Sequence, residues 1–151
     1  MKFLSHSPSE TIRIASQWVK DLKKEMGIKN QGVVVGLQGD LGAGKTTFVR
    51  GMAAGLGLDP QDVTSPTFTL INEYGSLIHV DLYRLEKKGE AELLALEEYL
   101  APGRILVIEW PERFPELQKQ MTVIVYLKFS SEQERDIEVT PWPMSLKISG
   151  I

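Results

Sequence analysis

The stretch Val33-Val34-Val35-Gly36-Leu37-Gln38-Gly39-Asp40-Leu41-Gly42-Ala43-Gly44-Lys45-Thr46-Thr47-Phe48 decides the fold. Its first part is a short β-branched run, of the kind that forms a strand buried on both faces. Its last part opens an amphipathic pattern in which Phe48, Val49, Met52, Ala53 and Leu56 share one helix face, with Gly55 and Gly57 closing the helix. Between them, Gly39-x-x-x-x-Gly44-Lys45-Thr46 has the spacing of a phosphate-binding loop, in the setting that such a loop requires. Gly39, Gly42 and Gly44 allow backbone shapes and close approaches that a Cβ would obstruct. The exposed N–H groups of the turn and of the first helical turn are then available to phosphate oxygens, and Thr47 supports the loop or lines the nucleotide site. The helix end adds roughly half a positive charge there. In this reading Lys45 reaches the outer phosphates and the Thr46 hydroxyl ligates Mg²⁺.

Working outward, Ser7-Pro8-Ser9-Glu10 reads as a capping box, with Ser7 at the N-cap and Glu10 reaching back. Ile12, Ala15, Trp18, Val19 and Leu22 continue that helix to Gly27, and they make Trp18 a core residue. Downstream, Phe68–Ile71 and Leu77–Val80 read as strands around a turn over 72–76, and 90–100 as a helix offering Leu93, Leu94, Leu96 and Leu100 to the core. Ile105–Ile108, Val123–Phe129 and Arg135–Thr140 are further strands, the last two joined by Ser130–Gln133. Alternation at the front and hairpins later predict an α/β protein, a P-loop NTPase-like three-layer sandwich whose sheet mixes parallel and antiparallel strands. The expected arrangement is a single domain over 1–151, with an irregular tail over 142–151.

A phosphate loop needs an acid at the end of a neighbouring apolar strand. Glu109, after Ile105-Leu106-Val107-Ile108, and Asp81, after Ile78-His79-Val80, both meet that description. Glu109 has the better approach run, and Asp81 is suited to orienting water, assisting the metal or capping a turn. Thr64-Ser65-Pro66-Thr67-Phe68 lies one element beyond the loop helix, where its hydroxyls could follow the outermost phosphate or form an ordinary polar turn. His79 reads as a satisfied, partly buried strand histidine. Trp110 either packs beside the nucleotide or fills the core, and the context of Trp142 decides nothing.

Composition narrows the classes. The 151 residues are 42% hydrophobic and 25% charged, with 17 basic and 20 acidic side chains giving a net charge of −3. A protein gripping nucleic acid unaided would carry a basic excess. The pairs Lys23-Lys24 and Lys87-Lys88 read as solvated faces, and any RNA contact is expected to come mainly from a partner. With no cysteine, disulfides, thiol catalysis and Cys-ligated metal are excluded. No apolar run approaches the roughly 18 residues of a membrane span. Met1–His6 does not read as a leader, and the expected location is cytoplasmic.

Four segments in order carry a resemblance: Gly39–Phe48, Ser65-Pro66-Thr67-Phe68-Thr69-Leu70, His79-Val80-Asp81-Leu82-Tyr83-Arg84-Leu85 and Ile108-Glu109-Trp110-Pro111-Glu112. Together they resemble the TsaE (formerly YjeE) family, bacterial ATPases of tRNA threonylcarbamoyladenosine synthesis. The resemblance covers roughly residues 5–140. It implies ATP and Mg²⁺ as ligands, weak hydrolysis, and binding to TsaD-like and TsaB-like partners that carry out the transfer, with tRNA contacted mainly through that complex. ATP use would reset the assembly between turnovers. It also implies Lys45, Asp81 and Glu109 as catalytic residues and Thr46 and Glu109 as metal ligands. Nucleotide contacts would come from 39–47, Thr67 and Trp110, with Thr11 on the base side and Arg135 beside it. Phe68 departs from the tyrosine frequent in the family. The competing reading is a small-molecule or nucleoside kinase, although the arginines at 13, 50, 84, 104, 113 and 135 are scattered rather than gathered in a lid. A GTPase is disfavoured because Asn-Lys-x-Asp is absent and Asp81-Leu82-Tyr83-Arg84 is not Asp-x-x-Gly. The intact Lys45 and Thr46 argue against a non-catalytic adaptor.

Overall fold

The computed structural model describes residues 1–25, 32–65, 70–85, 96–115, 117 and 121–140. In chain order its elements are β1 (Lys2–Ser5), α1 (Pro8–Glu25), β2 (Val33–Gln38), α2 (Lys45–Gly55), β3 (Ile71–Tyr74), β4 (Leu77–Asp81), β5 (Ile105–Glu109), β6 (Val123–Phe129) and β7 (Arg135–Thr140). Short 3-10 turns occur at Pro60–Asp62, Leu96–Glu98 and Pro111–Arg113. The strands form one seven-stranded sheet in the order β1-β7-β6-β2-β5-β4-β3. β2 lies at its centre, parallel to both β5 and β6, and β4 extends the parallel set beyond β5. β3 and β7 run antiparallel to their neighbours, so the sheet is mixed as expected.

Alternation along the strands builds the layers. Val33, Val35 and Leu37 of β2, with Ile105 and Val107 of β5, join the core beneath α1 and α2. Val34, Leu106 and Ile108, with Ile78 and Val80 of β4, face the other way and pack under Leu82, Leu96, Phe114 and Leu117. On the helical side Trp18 and Phe48 meet with ring centroids 5.6 Å apart, and both are buried. The two helices approach so closely that a Cβ on Gly51 would sit 2.6 Å from the Ile12 carbonyl oxygen, and one on Gly55 2.4 Å from that of Ser16. Gly55 therefore ends α2 and also admits α1.

Local expectations hold or shift for identifiable reasons. Ser7 Oγ accepts from the Glu10 N–H at 3.1 Å, which is the N-cap half of the capping box. The Glu10 carboxylate instead pairs with His6 Nδ1 at 3.0 Å. The first strand of the hairpin is displaced: β3 runs over Ile71–Tyr74, and the residues read as a turn are mostly its strand. Asn72 and Glu73 look turn-like, but an edge strand with a wet face tolerates them. The actual turn is Gly75-Ser76, between the paired Tyr74 and Leu77, and Gly75 has φ +60°. β1 escapes sequence reading because four residues at a sheet edge carry little pattern. Leu100 is exposed rather than in the core. Gly27, the strand residues Phe68 and Thr69, most of the 90–100 helix and the tail lie outside the described residues. Among the described residues, no helix is long and apolar enough to cross a membrane.

Candidate functional site

The carboxyl ends of β2, β4 and β5 open onto one cavity, the place where parallel α/β sheets present ligand crevices. Its volume is about 330 Å³, and its wall includes Leu41, Gly42, Gly44, Lys45, Thr46, Thr47, Asp81, Glu109 and Trp110. Most of the residues singled out in the sequence are thus brought together. Ser65 and Tyr83 also line it.

Backbone geometry explains the loop. Gly42 and Gly44 have φ of +80° and +102°, which other residues rarely adopt, and Gly44 caps α2. A Cβ on Gly39 would fall 2.5 Å from the Leu127 carbonyl oxygen, so only glycine lets the loop lie against β6. Ala43 turns its side chain into the core and donates its N–H to the Asp40 carbonyl at 3.0 Å. The first turn of α2 brings N–H groups to the wall that a helix leaves without intrahelical partners.

Lys45 is buried, and its ammonium is held by the carbonyls of Gly39 and Asp40. It also lies 3.9 Å from the centroid of the Trp110 ring. Burial pushes its pKa below the usual lysine value, against the opposing pull of Glu109, Glu112, Asp81 and Asp40. Trp110 occupies a left-handed backbone conformation, φ 64° and ψ 42°, and its N–H bonds to the Leu37 carbonyl. That turn folds the indole back over the loop. Tyr83 stacks on Trp110 at 5.0 Å, and Arg113 donates to the Tyr83 carbonyl at 2.5 Å.

The acids are positioned by the sheet. Asp81 and Glu109 are register partners on β4 and β5, and both are buried. Asp81 Oδ1 accepts the Tyr83 N–H at 2.8 Å, which turns the chain out of β4. Glu109 Oε2 meets His79 Nε2 at 2.5 Å, so His79 is fully buried rather than partly so. Glu112 follows on the Pro111–Arg113 turn, where burial raises its pKa.

A second cavity adjoins the first across Gly42, Gly44 and Thr47, lined also by Ser7, Pro8, Thr11, Glu132, Gln133 and Arg135. The Thr11 hydroxyl is engaged with Ser5 Oγ at 2.6 Å. Arg135 is fixed over the Phe129 ring at 4.1 Å, and its guanidinium donates to the carbonyls of Ser131, Glu132 and Glu134. Gly39 and Asp40 line a different hollow, behind the loop. Thr67 lies outside the described residues. Tyr83, Arg113 and the His79–Glu109 pair were not anticipated, and only the nearness of Tyr83 to Asp81 hinted at the first.

The donor set suits a triphosphate with a hard divalent ion. Mg²⁺ is usually held by one or two carboxylates together with substrate phosphates and water. Two buried carboxylates, the Thr46 hydroxyl, a buried ammonium and glycines that leave room for phosphate meet that need.

The profile of the threonylcarbamoyl adenosine biosynthesis protein TsaE matches residues 5–137. This chain belongs to the TsaE family. Among TsaE relatives, the Bacillus subtilis tRNA threonylcarbamoyladenosine biosynthesis protein is 38% identical over 93% of this chain and 85% of its own length. The Nostoc protein of the same description is 48% identical over 74% of this chain and 72% of its own. The crystal structure of Bacillus subtilis YdiB superposes with a TM-score of 0.64 at 31% identity, covering 91% of this chain and 82% of that one. The P-loop-like fold and the place of this TsaE member in threonylcarbamoyladenosine biosynthesis follow.

Proposed function

We propose that the chain binds ATP with Mg²⁺, hydrolyses it slowly, and thereby resets the transferase of tRNA threonylcarbamoyladenosine synthesis between turnovers. The observation that carries this is the buried Lys45 ammonium, set into a glycine-walled cavity opposite two buried acids. A cation kept out of water is costly unless it is paired and hydrogen-bonded. Two backbone carbonyls hold it only partly, and a phosphate would hold it better.

The roles then divide by position. Lys45 exchanges its carbonyl contacts for the outer phosphates, while the loop and the α2 terminus supply N–H groups to them. Thr46 and Glu109 would hold Mg²⁺, which would supply charge neutralisation to the phosphoryl group. Asp81, beside Glu109, orients water. Ser65 and Thr67 form a segment responsive to the outermost phosphate. Trp110 closes the site, and the second cavity, with Thr11 and Arg135, takes the nucleoside side. In this reading water is the nucleophile.

The chain's negative charge suits action through TsaD-like and TsaB-like partners, which would carry most of the tRNA contact in the cytoplasm. The test combines this protein with those partners, tRNA, a threonine-derived donor, ATP and magnesium. Repeated rounds of modification should require this chain, whereas a single round should not. Independence of the chain in both, with phosphoryl transfer to a small acceptor, would favour a kinase.

A further inference from the structure

We infer that His79 is a positioning residue that fixes the Glu109 carboxylate for the metal-bound triphosphate, an inference that rests on the function proposed above. β4 reads Leu77-Ile78-His79-Val80-Asp81, and every one of these residues is buried. A histidine in such a strand gives up its hydration, and an apolar residue would pack there without that loss. Among the described residues the ring obtains one hydrogen bond, Nε2 to Glu109 Oε2 at 2.5 Å, with both side chains buried.

The register explains why these two meet. His79 stands opposite Val107 and Asp81 opposite Glu109, so Glu109 is the diagonal neighbour of His79 on the helical face of the sheet. Diagonal positions lie within reach of long side chains. Among the described residues, His79 Nδ1 is buried with no hydrogen-bond partner. The ring therefore donates from Nε2, and a bare Nδ1 lone pair is less costly than a stranded N–H. One carboxylate oxygen of Glu109 is thus held by the buried histidine, and Glu109 is also part of the cavity wall. Carboxylates that ligate metals are commonly oriented by a further hydrogen bond, and losing that support costs about 10–100-fold in metal affinity or activity. Among the described residues Asp81 accepts the Tyr83 N–H, whereas the histidine contact is made to Glu109.

Calorimetric titration of a non-hydrolysable ATP analogue, with and without Mg²⁺, separates positioning from packing. His79→Leu should keep the Mg²⁺-free affinity and lose about 10–100-fold of the Mg²⁺-dependent gain. His79→Gln, whose amide nitrogen reaches the place of Nε2, should recover much of that gain, and His79→Asn, which stops near Nδ1, should not. In turnover, kcat and the Mg²⁺ requirement should change together while KM in saturating metal stays near wild type. An unchanged gain in His79→Leu, or equal losses in the Gln and Asn variants, would overturn the inference. If His79→Leu does not fold, the Gln–Asn comparison decides alone. Absence of any Mg²⁺-dependent gain in the wild-type protein would instead remove the proposed function itself.

Discussion

Asp81 and Glu109 are direct register partners at the ends of adjacent parallel strands, yet each is held by a different kind of group. The Asp81 carboxylate is tied to the backbone of Tyr83, and that of Glu109 to the ring of His79. Asp81→Asn keeps an oxygen for the Tyr83 N–H and should spare nucleotide affinity while lowering turnover by about tenfold or more. Glu109→Gln should abolish the Mg²⁺ dependence of binding with little change in thermal unfolding. Glu109→Ala leaves the His79 N–H stranded and should additionally cost about 1–3 kcal/mol of stability. Hydrolysis assays and nucleotide-free melts distinguish the three.

If Lys45 meets the outer phosphates as proposed, Lys45→Ala should lower turnover or triphosphate affinity on the order of 100-fold. The nucleotide-free protein should not lose stability in proportion. Its Lys45 is a partly desolvated cation whose pKa burial holds down. Equal affinity for ATP in the variant and wild type would refute the placement of the triphosphate.

Gly51→Ala tests the architecture without touching the cavity. The added methyl would meet the Ile12 carbonyl and the Ala15 methyl at 2.6 Å, forcing α1 and α2 apart. Overpacking of this sort costs about 1–3 kcal/mol. Chemical denaturation should show the loss, and an unchanged midpoint would mean that the helices are not so closely seated.

His6 offers a pH test at the start of α1. Its hydrogen bond and charge attraction to Glu10 raise its pKa above the ordinary 6.5, and the same hydrogen bond lowers that of Glu10 below 4.5. The raised histidine contributes stability that is full below 6.5 and fades as pH rises through its folded value. The lowered glutamate contributes above 4.5 and fades as pH falls through its folded value. The pair is therefore most effective between the two, and its effect is small because His6 is exposed. Ring-proton titration by NMR should show the elevated His6 value, which Glu10→Gln should reduce.

How far the sequence could be read depended on whether pattern or pairing set each feature. The loop spacing, the β-branched runs and the acids after them are local, and they located the central strands and most of the cavity wall. β1 and the true span of β3 were missed because edge strands are defined by the neighbours they pair with. His79–Glu109 depends on strand register, which brings residues 79 and 109 together in a way that spacing along the chain does not show. The same holds for Tyr83 against Trp110, since only the left-handed turn at Trp110 folds one ring onto the other.

The indole of Trp110, resting on the Lys45 ammonium, gives the protein an optical reporter of its own. A nearby cation shifts indole emission, so withdrawal of Lys45 toward phosphate should register as a fluorescence change. Trp18, sealed in the core, supplies a steady background, and Trp142→Phe would remove the remaining emitter. Occupancy could then be followed in real time, without a label, while the partners are added.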